Sequence, residues 1–291
     1  IYAFGFIHIS LSSHDLRSWF FSLSTYKNEE IATPCMADRQ KAIPAEPRPG
    51  EASRQRAALS LKAAARGYQI GEQTFYGLEA GVDEVSRRIR ASMEAAPVIV
   101  LIGGGSGSGR TTVGLRIRAA LHDAVLQHAV LISLNYYRKN SGYRNNPKGD
   151  SRFPDPEHPE CFDFELAKAH LVSLRDGKAV ERPGERGRRH RKIYPARVIV
   201  MEGSFALRDE LVGLADQGLR IFVEATKEVR EERRVLRDAA EGMPSEKTRR
   251  YFDDFVEPAY QRHVLETRHE ARTVILNEEQ IPELVPLVAR S

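Results

Sequence analysis

Residues 104–111 read GGSGSGRT, which fits GxxxxGK[ST] at every fixed position but one. Gly104 and Gly109 are correctly spaced and Thr111 closes the motif, but Arg110 stands where Lys is expected. The chemistry served by this spacing is phosphate binding. Phosphate oxygens must be approached by consecutive backbone N–H groups, which a Gly-rich turn permits, and a following helix N-terminus adds its positive dipole end. The motif predicts that Gly104, Gly105, Ser106, Gly107, Ser108, Gly109, Arg110, Thr111 and Thr112 hold the phosphates of ATP or a close relative. The Thr111 hydroxyl is the expected Mg²⁺ ligand. Arg110 keeps the positive charge, yet a planar guanidinium is longer and bulkier than the ammonium that normally slips between the β- and γ-phosphates. Nucleotide binding is therefore expected to survive this change better than turnover.

The motif needs a strand in front of it and a helix behind it, and the sequence offers both. PVIVLI (97–102) is a short, β-branched apolar run ending in Gly, as expected for a strand buried on both faces of a parallel sheet. VGLRIRAALHDAV continues beyond the glycines with helical spacing. Further buried-strand candidates are VLISL (130–134), VIVM (198–201), LRIFVEA (219–225) and TVIL (273–276). A helix is predicted over 163–175, where Phe164, Ala167, Leu171 and Leu174 share one face. Strands alternating with helices imply an α/β fold: a P-loop NTPase fold with a parallel sheet of about five strands flanked by helices. Glu202 follows VIVM, so its carboxylate should emerge at the strand's C-terminal edge beside the cradle, suited to Mg²⁺ directly or through water, or simply as a strand-end acid.

Upstream, three stretches divide the chain. Residues 1–35 precede Met36 and read as upstream translation, a fragment edge or an aromatic-rich segment packed on the domain. Residues 36–96 read as a flexible lead with accessory helices at 57–66 and 82–94, a helical N-terminal extension to the P-loop domain of 97–291. The balance of 44 Lys+Arg against 40 Asp+Glu, net +4, does not require a nucleic-acid partner. The run RGRRHRK (186–192) lacks interleaved aromatics and is a poor polynucleotide platform. Two cysteines give no disulfide framework, no apolar stretch is long enough to span a bilayer, and a cytoplasmic location is expected.

Five segments in order complete a resemblance to the uridine kinase and phosphoribulokinase family of P-loop kinases over about residues 97–277. Beside the cradle these are ISLNYYR (132–138), HPECFDFELAKAHLVSLRDGKAVERP (158–183), PARVIVMEG (195–203), VREERRVLRD (229–238), and FVEPAYQRHV with ARTVILN (255–277). The resemblance implies in-line transfer of the γ-phosphoryl of ATP to a hydroxyl of a small-molecule acceptor, a nucleoside or related polyol. It also implies that Asn135 occupies the place of an Asp that orients or deprotonates the acceptor hydroxyl, a change expected to slow transfer because an amide is no base. Acceptor hydroxyls are gripped in the family by an acid before the HP pair, here Glu157 first and Asp155 second, unless these are solvated loop charges. His190 is the counterpart of a family His in a base-recognition loop that here reads PGERGRRHRK, without its aromatic pair, which puts uridine as acceptor in doubt.

The resemblance assigns substrate and phosphate contacts to Arg234 and Arg237, a lid needing cations to meet an anionic phosphoryl. Arg230 and Arg233 are expected to form a solvated face. Kinases of the family often associate, so a homo-oligomer is compatible with the sequence, and no interface can be read. Arg110, Asn135 and the altered loop also suit an alternative, a catalytically degenerate nucleotide-binding module acting through a partner.

Overall fold

The five apolar runs all become strands. The computed structural model describes residues 59–60, 67–93, 96–121, 129–139, 155–183, 191–278 and 280–281. Its main sheet has seven strands: β1 (Tyr68–Ile70), β2 (Gln73–Gly77), β3 (Val98–Gly104), β4 (Ala129–Ser133), β5 (Val198–Glu202), β6 (Arg220–Glu224) and β7 (Thr273–Leu276). Their order is β1-β2-β7-β6-β3-β5-β4, parallel throughout except for β1 at one edge. The helices that matter here are α1 (Leu78–Ser92), α2 (Arg110–Ala120), α3 (Phe164–Arg175), α4 (Lys227–Ala240) and α5 (Ser245–Tyr251).

Strand alternation divides the core into two layers. Ile99, Leu101, Ile199, Met201, Phe222 and Val274 face α3 through Ala167, Leu171 and Leu174. Val100, Ile102, Val200, Val223 and Ile275 face α1 and α2 through Val85, Ile89, Val113 and Ile117. β3 lies between β5 and β6, so its C-terminal end opens where the strand order reverses, the place where open α/β sheets carry their ligands.

Two expectations are corrected. The sheet has seven strands instead of about five, because Tyr68–Ile70 and Gln73–Gly77, read as part of a lead with accessory helices, pair into it; β2 runs in register with β7, Phe75 opposite Val274. Second, Leu59–Ser60, expected inside a helix over 57–66, pair antiparallel with Gln280–Ile281. Good helix formers there yield to a backbone partner far along the chain, as propensity commonly yields to tertiary context. The helix expected from residue 82 is α1, and starts earlier, at Leu78. Residues 1–58 lie outside the described residues, and with them the readings of 1–35 and of the lead up to residue 58. Among the described residues no helix is long and apolar enough to cross a membrane.

Candidate functional site

The end of β3 and the start of α2 are joined by five residues, and at the glycines the backbone is packed too closely for a side chain. A Cβ on Gly104 would lie 2.3 Å from the Val223 carbonyl oxygen, and one on Gly107 would lie 2.2 Å from the Arg230 carbonyl oxygen. Both residues have positive φ, 134° and 85°, so glycine is required twice over. The Ser108 N–H donates to the Gly105 carbonyl at 3.1 Å and closes the loop, and the Val113 N–H donates to Gly109 at 2.9 Å as α2 begins. Thr111 and Thr112 are exposed on the first turn of α2. The Ser108 hydroxyl is buried without a hydrogen-bond partner among the described residues.

Arg110 does not extend away from this loop. Its Nη1 donates to the Gly104 carbonyl and, at 2.7 Å, to Ser204 Oγ, while Nε lies 3.6 Å from Glu202 Oε2. Burial draws the guanidinium below its ordinary pKa, and Glu202 opposes that shift. Glu202 is the last residue of β5, buried, with Ile102 and Ser133 as its neighbours in register on either side. Asn135 lies two residues past Ser133, exposed, at the start of a single 3₁₀ turn, Leu134–Tyr137. Cradle, acid and amide thus share one edge of the sheet because parallel strands all end there.

The arginines of α4 meet the cradle, and here the structure overturns an expectation. Arg230 and Arg233 are not a solvated face. Arg230 is 1% exposed, donates from Nε to the Ala225 carbonyl at 3.1 Å and from Nη2 to Glu257 at 2.7 Å, and stacks on the Tyr260 ring at 3.9 Å. Arg233 Nη2 donates to the Asn277 carbonyl at 2.6 Å. The reason lies in the glycines: Gly105 and Gly107, lacking side chains, let α4 lie against the loop at Arg230, and the arginines on that face are covered. Arg234, also buried, donates from Nη1 to Ser106 Oγ at 2.8 Å and holds Nη2 3.7 Å from Glu157 Oε1. Arg237 is half-exposed and bonds Asp238 Oδ1 at 2.8 and 3.0 Å.

Glu157 is no solvated loop charge. It accepts from Arg138 Nη2 at 2.8 Å and from the Tyr251 hydroxyl at 2.8 Å. Burial pushes its pKa up, but Arg138 and Arg234 outweigh this and hold it at about 2. Burial and the Glu157 charge together push the Tyr251 phenol above its ordinary range. Asp155 plays a different part: its Oδ1 accepts the Glu157 N–H at 2.9 Å and shapes the turn that presents Glu157. His190 lies outside the described residues, as do 184–189 of its loop. Arg182, in the strand that precedes this loop in sequence, stacks on Tyr136 at 3.7 Å.

Arg138, Tyr251 and Asn277 were not singled out from the sequence. Arg138 lies inside the motif ISLNYYR and was within reach. Tyr251, 94 residues from Glu157, is brought in by the turn between α4 and α5, for which no spacing rule exists.

Comparison with known proteins accords with this geometry. The sequence profile of the Phosphoribulokinase / Uridine kinase family matches residues 99–280, more than half of the chain. A uridine kinase of Deinococcus deserti is 32% identical over 186 residues, covering 62% of this chain and 87% of that protein. A uridine kinase of Halobacterium salinarum is 34% identical over 183 residues, covering 60% and 77%. A solved structure described as a possible uridine kinase from Bacillus stearothermophilus overlaps 68% of this chain and 98% of its own, at 17% identity and a TM-score of 0.49. With the profile spanning the strand, cradle and arginine helix described above, the chain belongs to the Phosphoribulokinase / Uridine kinase family and is a kinase of the uridine kinase-like class.

Proposed function

We propose that this kinase moves the γ-phosphoryl group of ATP, held with Mg²⁺ on residues 104–112, to a hydroxyl of a nucleoside or related polyol seated against Glu157. The observation that carries this reading is Arg234, whose guanidinium joins the two halves: it bonds the Ser106 hydroxyl of the cradle and lies 3.7 Å from the Glu157 carboxylate. An anionic phosphoryl passing between donor and acceptor needs a cation there.

The remaining roles follow from chemistry at each position. The glycine-rich backbone presents N–H groups to the phosphates, and the buried Ser108 hydroxyl, with no hydrogen-bond partner among the described residues, suits donation to a phosphate oxygen. Thr111 and Glu202 supply hard oxygen donors of the kind Mg²⁺ takes. When bound, Mg²⁺ supplies neutralisation of charge on the β- and γ-phosphate oxygens. Glu202 must first loosen from Arg110, whose guanidinium sits over it. Asn135 orients the acceptor hydroxyl but takes no proton from it, and the loose transition state of phosphoryl transfer tolerates that loss at reduced rate. Arg237 swings from Asp238 to cover the transferring group, and Asp155 keeps Glu157 aimed. His190, outside the described residues, is assigned to the acceptor side by the resemblance alone.

The test is ADP release by the full chain with Mg²⁺ and ATP, with and without a panel of nucleosides, sugar phosphates and pantothenate. Release that depends on one acceptor is expected, and the Arg110→Lys, Asn135→Asp double variant should raise it about tenfold or more by restoring a base. ATP binding without acceptor-dependent release, in both proteins, would replace this reading with a nucleotide-responsive module.

A further inference from the structure

A phosphate cradle works only if its N–H groups point inward, and in a trans peptide the carbonyl then points the other way. No peptide bond among the described residues is cis. The Ser108 carbonyl, which shares its peptide plane with the Gly109 N–H, is held from outside the loop by two donors. Asn277 Nδ2 donates to it at 2.7 Å and Arg233 Nη1 at 3.4 Å. These two are themselves joined, since Arg233 Nη2 donates to the Asn277 carbonyl at 2.6 Å. The Asn277 N–H donates to the Glu224 carbonyl at 2.9 Å, carrying the β6–β7 pairing one residue beyond β7. Asn277 is thus fixed to the sheet at its backbone and to the loop at its amide.

The approach is close enough to explain a glycine. A Cβ on Gly109 would lie 2.1 Å from Asn277 Nδ2, so the loop and the amide meet only because residue 109 has no side chain. The motif reading of Gly109 asks for glycine for the sake of the phosphate; the contact with Asn277 adds a second reason from the opposite side.

We propose that Asn277 is a positioning residue for phosphate binding: by holding the Ser108 carbonyl outward it aims the Gly109 N–H into the cradle, with Arg233 bracing it. This inference rests on the reading of residues 104–112 as a phosphate site. Asn277 itself touches no phosphate. Its effect should therefore be felt by any ligand with a polyphosphate, whether or not a base is attached.

Calorimetric titration of the full chain with Mg²⁺ and either ATP or inorganic triphosphate separates the possibilities. Asn277→Ala is expected to weaken both ligands by about tenfold, the scale of one lost hydrogen bond. The melting temperature without ligand should fall by no more than about 4 °C, and turnover should show a raised KM for ATP with kcat largely kept. Asn277→Asp, which has no donor and repels the Ser108 carbonyl, should weaken them more. Should Asn277→Ala melt early, Arg233→Met, which removes the second donor and the brace, carries the test with the same two ligands. Unchanged affinity in the variants overturns the proposal, and so does a loss seen with ATP but not with triphosphate, which would make Asn277 a contact to the base. Binding of neither ligand by the wild type would sink the cradle reading itself, and the positioning role with it.

Discussion

Glu157 keeps its charge in a nearly dry setting because three groups hold it: Arg138, Arg234 and the Tyr251 hydroxyl. Its folded pKa of about 2 lies below the ordinary value of 4.5, so the carboxylate stabilises the fold fully above about 4.5 and loses that contribution as pH falls towards about 2. Glu157→Gln should accordingly cost on the order of 2–3 kcal/mol at neutral pH, measured by urea unfolding. The gap between the two proteins should narrow as the medium is acidified below about 4.5. A gap that stays constant through that range would mean that Glu157 is not ion-paired as described. The sequence ranked Glu157 ahead of Asp155 as the acid before the HP pair, two acids in one short stretch. What separates them is that one carboxylate accepts from side chains of distant elements and the other from the neighbouring backbone, and neither fact is a property of residue type or spacing.

At the scale of elements, α4 is the piece that joins the two sides of the proposed site. Its Arg233 and Arg234 reach the cradle while Arg230 is locked beneath Tyr260 and Glu257. Two π-helical stretches, Phe252–Val256 and Tyr260–Val264, follow α5 and lie either side of Glu257. Such wide turns re-aim side chains and are found mostly at functional sites. Because Arg234 bonds both sides, Arg234→Ala should raise KM for ATP and for the acceptor together, each by about tenfold or more. An effect confined to one substrate in steady-state kinetics would show that the bridge does not couple the two. The spacing of arginines was legible, and with it that several fall on one side of a helix. Which of them would be covered was not, because burial depended on the shape of a glycine loop more than a hundred residues earlier.

For the whole molecule, the sheet does not begin at the phosphate motif. β2 pairs along the full length of β7, whose four residues are all buried, and β1 closes the edge beyond it. A chain starting at residue 78, which keeps α1, would leave β7 with an unpaired, apolar edge. Such a truncation should aggregate or melt at least about 10 °C below a chain starting at residue 67, by calorimetry. Equal melting of the two would show that the added strands are ornamental. Short polar strands such as QTFYG lack the continuous apolar run that marked the other five, since β2 takes its register from β7 and buries only Phe75 and Gly77.

By itself the sequence determined the glycine motif that a phosphate site would use and the layered α/β frame that presents it. Glycine spacing and buried apolar runs are local properties, each set by what a few neighbouring residues can do. Only the tertiary structure decided that Arg110 folds back on Gly104, Ser204 and Glu202, that Arg230 is buried, and that Asn277 holds the Ser108 carbonyl. Those contacts join residues up to 169 positions apart, and their partners are chosen by where strands end and helices pack, which no short stretch of chain encodes.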